Sequence, residues 1–338
     1  MRLIDADLRE VRSVAVSPDG RFVAASGTNG WYAVFDWASG DTERRFPLGV
    51  ACEQLAFGPN DEVIYVQHDT LRVDRMGVNV PAPDLVGRCV AAAIAPDGKT
   101  LVATQAGTRE KVELKRWSLP ARQPLTGFTY WSPFRKLAFS PDGHFLAGIW
   151  PEGFELRYAT SGGFDYRHRL PDRRDFTMPG FVAFTRHSGT CVFGWESEFH
   201  VLDISTGTSK PIHRIDAGSR PVTTKTVKLG RIHEERTVEL AAPFHDAAFT
   251  GSGRHFATVE QPGRWKRWDA FVGGWRTSLD QGAEQNGRLK LWDLETWKVT
   301  HEYDWGCGAL TCLAFTADGS AGVCGTADGR LVQFDVDE

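Results

Sequence analysis

One stretch constrains this chain more than any other. It is Val11 to Asp41, VRSVAVSPDGRFVAASGTNGWYAVFDWASGD, and the rest of the sequence keeps restating it. Read with a period of two, it gives a strand over Val11–Ser17, a Pro18-Asp19-Gly20 turn and a second strand over Arg21–Ser26. A Thr28-Asn29-Gly30 turn follows, then a third strand over Trp31–Asp36, and Ala38-Ser39-Gly40 opens into a fourth over Thr42–Leu48. The breaks hold Pro-Asp-Gly and Asn-Gly, which supply the fixed negative φ and the positive φ that tight hairpins need. A lone four-stranded meander cannot cover both of its faces, so such a unit is predicted to stack against copies of itself.

The copies recur along the chain. The second begins at Cys52 (EQLAFGPNDEVIYVQHDTLRVDRMG), with Gly58-Pro59-Asn60-Asp61 in the first turn and His68-Asp69 in the second. The third is CVAAAIAPDGKTLVATQAGTREKVELKRWSL, and the fourth, RKLAFSPDGHFLAGIWPEGFELRYATSG, is the cleanest after the first. The fifth, FVAFTRHSGTCVFGWESEFHVLDISTG, loses the proline but keeps the phase. The sixth opens at His245–Phe249 and resumes at Gly287 as GRLKLWDLETWKVTHEYDW, and the seventh, LTCLAFTADGSAGVCGTADGRLVQFDVDE, stops after a third strand. That unit lacks a fourth strand, while Met1–Leu8 reads as a strand without a unit. The prediction is one all-β domain over residues 1–338: a seven-bladed β-propeller closed by the N-terminal strand, which completes the last blade and leaves no open edge.

Phe35-Asp36, Leu202-Asp203, Trp292-Asp293 and Phe334-Asp335 close third strands, and Asn29-Gly30 and Asp328-Gly329 form second turns. In these features the chain resembles the WD40-repeat β-propeller family over essentially its whole length. Only Trp292-Asp293 is a literal Trp-Asp, and no Gly-His pair precedes a first strand, so the family's Asp-His-Ser-Trp hydrogen-bond relay is not carried over intact. The resemblance implies an interaction platform, a sensor or scaffold subunit within a multiprotein assembly.

Composition narrows the function classes. The 338 residues carry a formal net charge of −4, which gives no global field toward nucleic acid or an anionic membrane. No apolar run approaches the roughly 20 residues that span a bilayer, and MRLIDADLRE has acids where a signal peptide needs an apolar core. Cys52, Cys89, Cys191, Cys307, Cys312 and Cys324 are scattered without CxxC spacing, which predicts reduced core thiols and a cytoplasmic setting. Trp117, Trp292 and Phe334, at third-strand ends, are predicted to be core packing, and Trp37, Trp297 and Trp305 to lie between blades or on the far rim.

Two stretches are superfluous to the repeat, about 218–243 and 261–286. The first is a blade-to-blade connection and the second a second-to-third turn, so both are expected on one face beside the sixth blade. Long loops in compact domains are usually functional or disordered. The second insertion reads GRWKRWDAFVGGWRTSLDQG and sets Trp265, Trp268 and Trp275 among Arg264, Lys266, Arg267 and Arg276. Tryptophan and arginine dominate binding hot spots. The first insertion adds Lys225, Lys228, Arg231 and Arg236 against Glu234 and Glu235.

The expected partner-binding set is Trp265, Arg267, Trp268, Trp275, Arg264, Arg231 and Lys228, extended by Trp31 and Trp150 beside second-to-third turns. Two other readings stand beside it. The tryptophans fold back and cap the rim of the sixth blade, or they form a stacking platform for single-stranded nucleic acid, which the overall acidity disfavours.

The alternative class is a propeller enzyme acting on a small polar substrate at the central channel. Arg12, Glu53, Arg88, Arg135, His245 and Thr311 stand at the entrances of the innermost strands. Their charge is mixed and no two carboxylates hold matched positions for acid–base work. His68, His200, His245 and Asp69 show no ligand spacing, and there is no nucleophile elbow, Walker loop or dinucleotide fingerprint. The sequence thus assigns no catalytic residue, metal or cofactor.

Overall fold

The alternation read in the sequence is realised as β-strands. A computed structural model of the chain describes residues 1–48, 52–58, 62–67, 70–75, 89–106, 112–118, 123–130, 134–150, 153–169, 180–185, 187, 189–195, 198–204, 210–216, 226–229, 233–236, 244–250, 253–260, 265–268, 276–279 and 286–336.

The N-terminal strand is β1 (Arg2–Asp5), and the first unit gives β2 to β5 (Val11–Val16, Phe22–Gly27, Trp31–Asp36, Thr42–Pro47). The second gives β6 to β8 (Cys52–Phe57, Glu62–Gln67, Thr70–Arg75), and the third β9 to β12 (Cys89–Ile94, Thr100–Ala106, Val112–Ser118, Gln123–Tyr130). The fourth and fifth give β13 to β16 (Lys136–Phe139, Phe145–Trp150, Gly153–Tyr158, Phe164–Arg169) and β17 to β20 (Phe181–Phe184, Thr190–Trp195, Glu198–Asp203, Lys210–Asp216). Within the insertions lie β21 and β22 (Thr226–Leu229, His233–Arg236) and β25 and β26 (Trp265–Trp268, Arg276–Leu279). The sixth unit proper is β23, β24, β27 and β28 (Phe244–Phe249, His255–Glu260, Arg288–Asp293, Val299–Asp304), and the chain ends with β29 to β31 (Leu310–Phe315, Ala321–Thr326, Arg330–Asp335).

The sheets are antiparallel meanders. Six have four strands: β2–β5, β9–β12, β13–β16, β17–β20, β23-β24-β27-β28, and β29–β31 with β1 as the fourth. In the last, Arg2, Leu3, Ile4 and Asp5 pair with Gln333, Val332, Leu331 and Arg330. Strands β6–β8 form a three-stranded sheet. The expectation of seven four-stranded blades is therefore corrected to six among the described residues. The second unit supplies three strands, and residues 76–88, where its fourth would fall, lie outside the described residues.

The first strands of the sheets neighbour one another in a circuit, β2 beside β6, then β9, β13, β17, β23, β29 and back to β2. This is the arrangement of an all-β propeller, with first strands at the centre and fourth strands at the rim.

Why the units fold as they do is visible at their first turns. The Ser17 hydroxyl donates to Asp19 Oδ1 (2.7 Å) and accepts from the Phe22 N–H (2.9 Å), and Asp19 Oδ1 also accepts from the Arg21 N–H (3.0 Å). Gly20 follows at φ +74, a conformation that a Cβ would strain. Ser140-Asp142-Gly143 and Thr316-Asp318-Gly319 repeat the device. The Ser17 hydroxyl, with the Arg21 N–H second, holds the Asp19 carboxyl below the usual carboxylate range, and Thr316 does the same for Asp318.

The core lies between sheets rather than inside one. Phe154 of β15 stacks on Phe193 of β18 at 3.8 Å, and Phe199 of β19 meets Trp292 of β27 edge to face at 5.2 Å. Trp117, Trp292 and Phe334 are buried, as predicted for third-strand ends. Trp37, Trp297 and Trp305 pack in clusters that join neighbouring sheets. Cys191, Cys307, Cys312 and Cys324 are free, buried thiols, Cys52 is buried as well, and burial pushes the Cys312 thiol up to about 12. Among the described residues no helix is long and apolar enough to cross a membrane.

Candidate functional site

The innermost strands shape the centre through a recurring bulge. Register shifts between Val11 and Ser13, Cys52 and Gln54, Phe244 and Asp246, and Leu310 and Cys312 leave Arg12, Glu53, His245 and Thr311 as the extra residues of their strands. At β13 the Arg135 N–H donates to the Ile149 carbonyl (2.7 Å), although Lys136 is registered opposite Ile149. A bulge bends its strand and re-aims the residue it inserts. Five of the six sequence-predicted channel-mouth positions thus share one structural role. Arg88 lies outside the described residues.

Arg12 and Arg135 are exposed, and Arg12 Nε lies 3.6 Å from Glu10 Oε1. His245 is half-buried.

The residue after the bulge does something the sequence reading missed. Ser13 Oγ accepts from the Leu55 N–H (3.0 Å), Gln54 Oε1 from the Ala92 N–H (3.1 Å), and Asp246 Oδ2 from the Leu313 N–H (3.1 Å). Each side chain grips the backbone of the next first strand. Gln54 Nε2 also donates to the Ala92 carbonyl (2.7 Å), and the Thr311 hydroxyl donates to the Val11 carbonyl (2.6 Å). Lys136, a cation at the same position, cannot accept an N–H and instead pairs with Asp246 Oδ1 at 3.1 Å, from β13 to β23. These bonds form a partial belt around the centre, running through β13, β23, β29, β2, β6 and β9, and Asp246 holds two partners in it. The signal available in the sequence was a polar residue directly after four of the six mouth residues: Ser13, Gln54, Lys136 and Asp246.

The insertions form ribbons apart from the blades. Strands β24 and β27 pair directly, with Glu260 opposite Arg288, so the segment between them is excluded from its sheet. In that segment Trp265 pairs with Leu279, Arg267 with Thr277, and Trp268 with Arg276. In the first insertion Lys228 is registered opposite Glu234. Strand β22 lies beside β25, which brings the ribbons of the two insertions together. Arg231, Arg264 and Trp275 lie outside the described residues.

At the root of the second ribbon, Glu260 is 1% exposed and pairs with Lys290 Nζ at 2.7 Å. Burial raises its carboxyl, and the Lys290 charge opposes that shift.

The flanking tryptophans differ from one another. Trp150 is buried, edge to face with Phe134 at 5.9 Å, and belongs to the core. Trp31 is half-buried on the cluster around Val11 and Phe35, with the Arg45 guanidinium 4.6 Å from its ring centroid. Among the described residues no group of three or more His, Cys, Asp or Glu is placed to hold a metal ion.

The family model described as "WD domain, G-beta repeat" matches residues 5–36, which run from the end of β1 through β4. A comparison with curated proteins found no match. Between β24 and β27, buried Trp292 Nε1 donates to Thr258 Oγ1 at 2.9 Å. With one repeat matched by the family model and the same meander recurring around a common centre, the chain is an all-β propeller that carries a WD40 repeat at residues 5–36.

Proposed function

We propose that this propeller is a non-catalytic platform that binds a protein or peptide on the face from which both insertions emerge. WD40 propellers are commonly protein-interaction scaffolds. The observation that carries the reading is the placement of β22 beside β25, which joins the two segments the repeat does not need. Isolated two-stranded ribbons are at best marginally stable in water, so a pair of them is poised to gain order from a partner. In this reading Trp265, Trp268 and Trp275 are apolar anchors, and Arg264, Arg267, Arg231 and Lys228 orient acidic or carbonyl groups of the partner.

The scaffold behind the ribbons is a ring. We count β6–β8 as a seventh blade and β1 as the strand that seals the circuit. A preformed ring loses little ordering entropy when a partner binds. The setting is a cytoplasmic assembly in which another polypeptide supplies the effector.

The test is affinity capture with three forms: the native chain, Trp268→Ala, and a chain with residues 264–280 replaced by a Gly-Ser linker. A partner retained by the native chain and lost from the linker form, with the thermal transition of the blades unchanged, is the expected result. Equal retention by all three forms would overturn the reading.

A further inference from the structure

A second recognition element stands on blade one, on the same face as the insertions. In an antiparallel meander, the connections between blades and the second-to-third turns emerge at the same end. The β1–β2 connection holds Asp7, the start of β4 holds Trp31, and Arg45 lies toward the matching end of β5, where Trp31 is registered opposite Pro47.

These three side chains make one arrangement. Arg45 lies over the Trp31 ring, its Nη1 is ion-paired with the Asp7 carboxylate, and its Nη2 donates to the Asp7 carbonyl at 2.6 Å. A guanidinium laid on an aromatic face presents its edge donors in a fixed fork, the geometry that recognises carboxylates. What occupies the fork is unusual. Asp7 has φ +50, and among the described residues the only other non-glycine residue with positive φ is Trp297. The Asp7 side chain is 78% exposed, against 33% for Arg45. The Asp7 N–H donates to Asp5 Oδ1 at 3.0 Å, which holds the bend. The cation is the less exposed partner and is oriented by the Trp31 ring, while its carboxylate sits in water on a left-handed backbone conformation.

We propose that Arg45, stacked on Trp31, is a recognition site for a side-chain carboxylate in an acidic segment of a protein partner, and that Asp7 keeps the site closed as a built-in stand-in. The proposal rests on the reading of this face as the partner surface. The Nη1 contact goes to the Asp7 carboxylate and the Nη2 contact to the Asp7 backbone carbonyl, so an incoming carboxylate takes over the first while the second keeps Arg45 in place. Solvation of the Asp7 side chain favours the exchange. The site is thus selective for a segment dense enough in acid to outcompete a carboxylate tethered beside it.

The experiment is fluorescence anisotropy with a labelled hexa-aspartate peptide and a hexa-asparagine control, on the full chain at low salt. Asp7→Asn keeps the shape and tolerates positive φ, but removes the competing charge. It is expected to tighten hexa-aspartate binding about threefold or more and leave the asparagine peptide unaffected. Adding Arg45→Gln is expected to erase that gain, and Arg45→Lys to erase most of it should the glutamine variant not fold.

Unchanged binding in Asp7→Asn, or a gain that persists without Arg45, overturns the proposal. The linker form lacking residues 264–280 separates the two readings. A preserved Asp7→Asn gain in a protein whose captured partner is unaffected by the linker replacement sinks the insertion surface alone. Loss of the partner with no Asp7 effect sinks the Arg45 site alone.

Discussion

Asp19 and Asp318 are small parts of the molecule whose chemistry has a measurable sign. Their carboxyls are held below the ordinary value of 3.8 by hydroxyl and backbone donors in the first turns of their blades. A depressed folded-state value means that the contribution to stability is present above the unfolded value and lost as pH falls through the folded one. The double variant Asp19→Asn/Asp318→Asn is expected to show a flatter loss of stability than the native chain between about pH 5 and 3, read by urea denaturation at each pH. Asp246 acts at the same scale but in the belt. Its replacement by alanine removes the acceptor of the Leu313 N–H and the counter-ion of Lys136. A loss of about 1–3 kcal/mol in the unfolding free energy is expected, because a half-buried donor and a cation are left without their partner. A change under about 0.5 kcal/mol would show that the belt is decorative.

At the scale of elements, the strands were legible and their side-chain partnerships were not. Hydrophobic alternation and Pro-Asp-Gly turns are local signals, so β2 to β5 fall within a residue or two of the spans read from the sequence. The bulges of the first strands also follow a local period, since Arg12, Glu53, His245 and Thr311 hold one phase relative to their turns. The belt was not legible, because Gln54 meets Ala92 and Lys136 meets Asp246 across separations of 38 and 110 residues. Those meetings depend on how blades are placed around the centre, which no local period encodes.

Trp150 shows the opposite failure. Its place beside a second-to-third turn suggested exposure, yet Phe134 covers it. The same Phe134 ring makes Gly148 of β14 obligatory, since a Cβ there would stand 2.3 Å from Phe134 Cδ1. Gly148→Ala is expected to cost about 1–3 kcal/mol, and Phe134→Leu in the same chain to recover part of it, both read from thermal unfolding.

For the whole molecule, the claim of a sealed ring and the claim of a binding face can be tested separately. Removing residues 1–8 uncovers the edge of β31 and takes away buried Ile4, Ala6 and Leu8. If β1 seals the ring, the truncated chain is expected to unfold about 5 °C or more below the native chain and to aggregate through its open edge. An unchanged transition would mean that β1 is an accessory strand.

The binding face is tested most directly by hydrogen–deuterium exchange over residues 226–236 and 265–279, in the isolated protein and in complex with its captured partner. The platform reading predicts fast exchange in both ribbons alone and marked protection in the complex, with the blades unchanged. Slow exchange in both ribbons of the isolated protein, unaltered by the partner, would mean that the insertions are a cap on the propeller and would contradict the account.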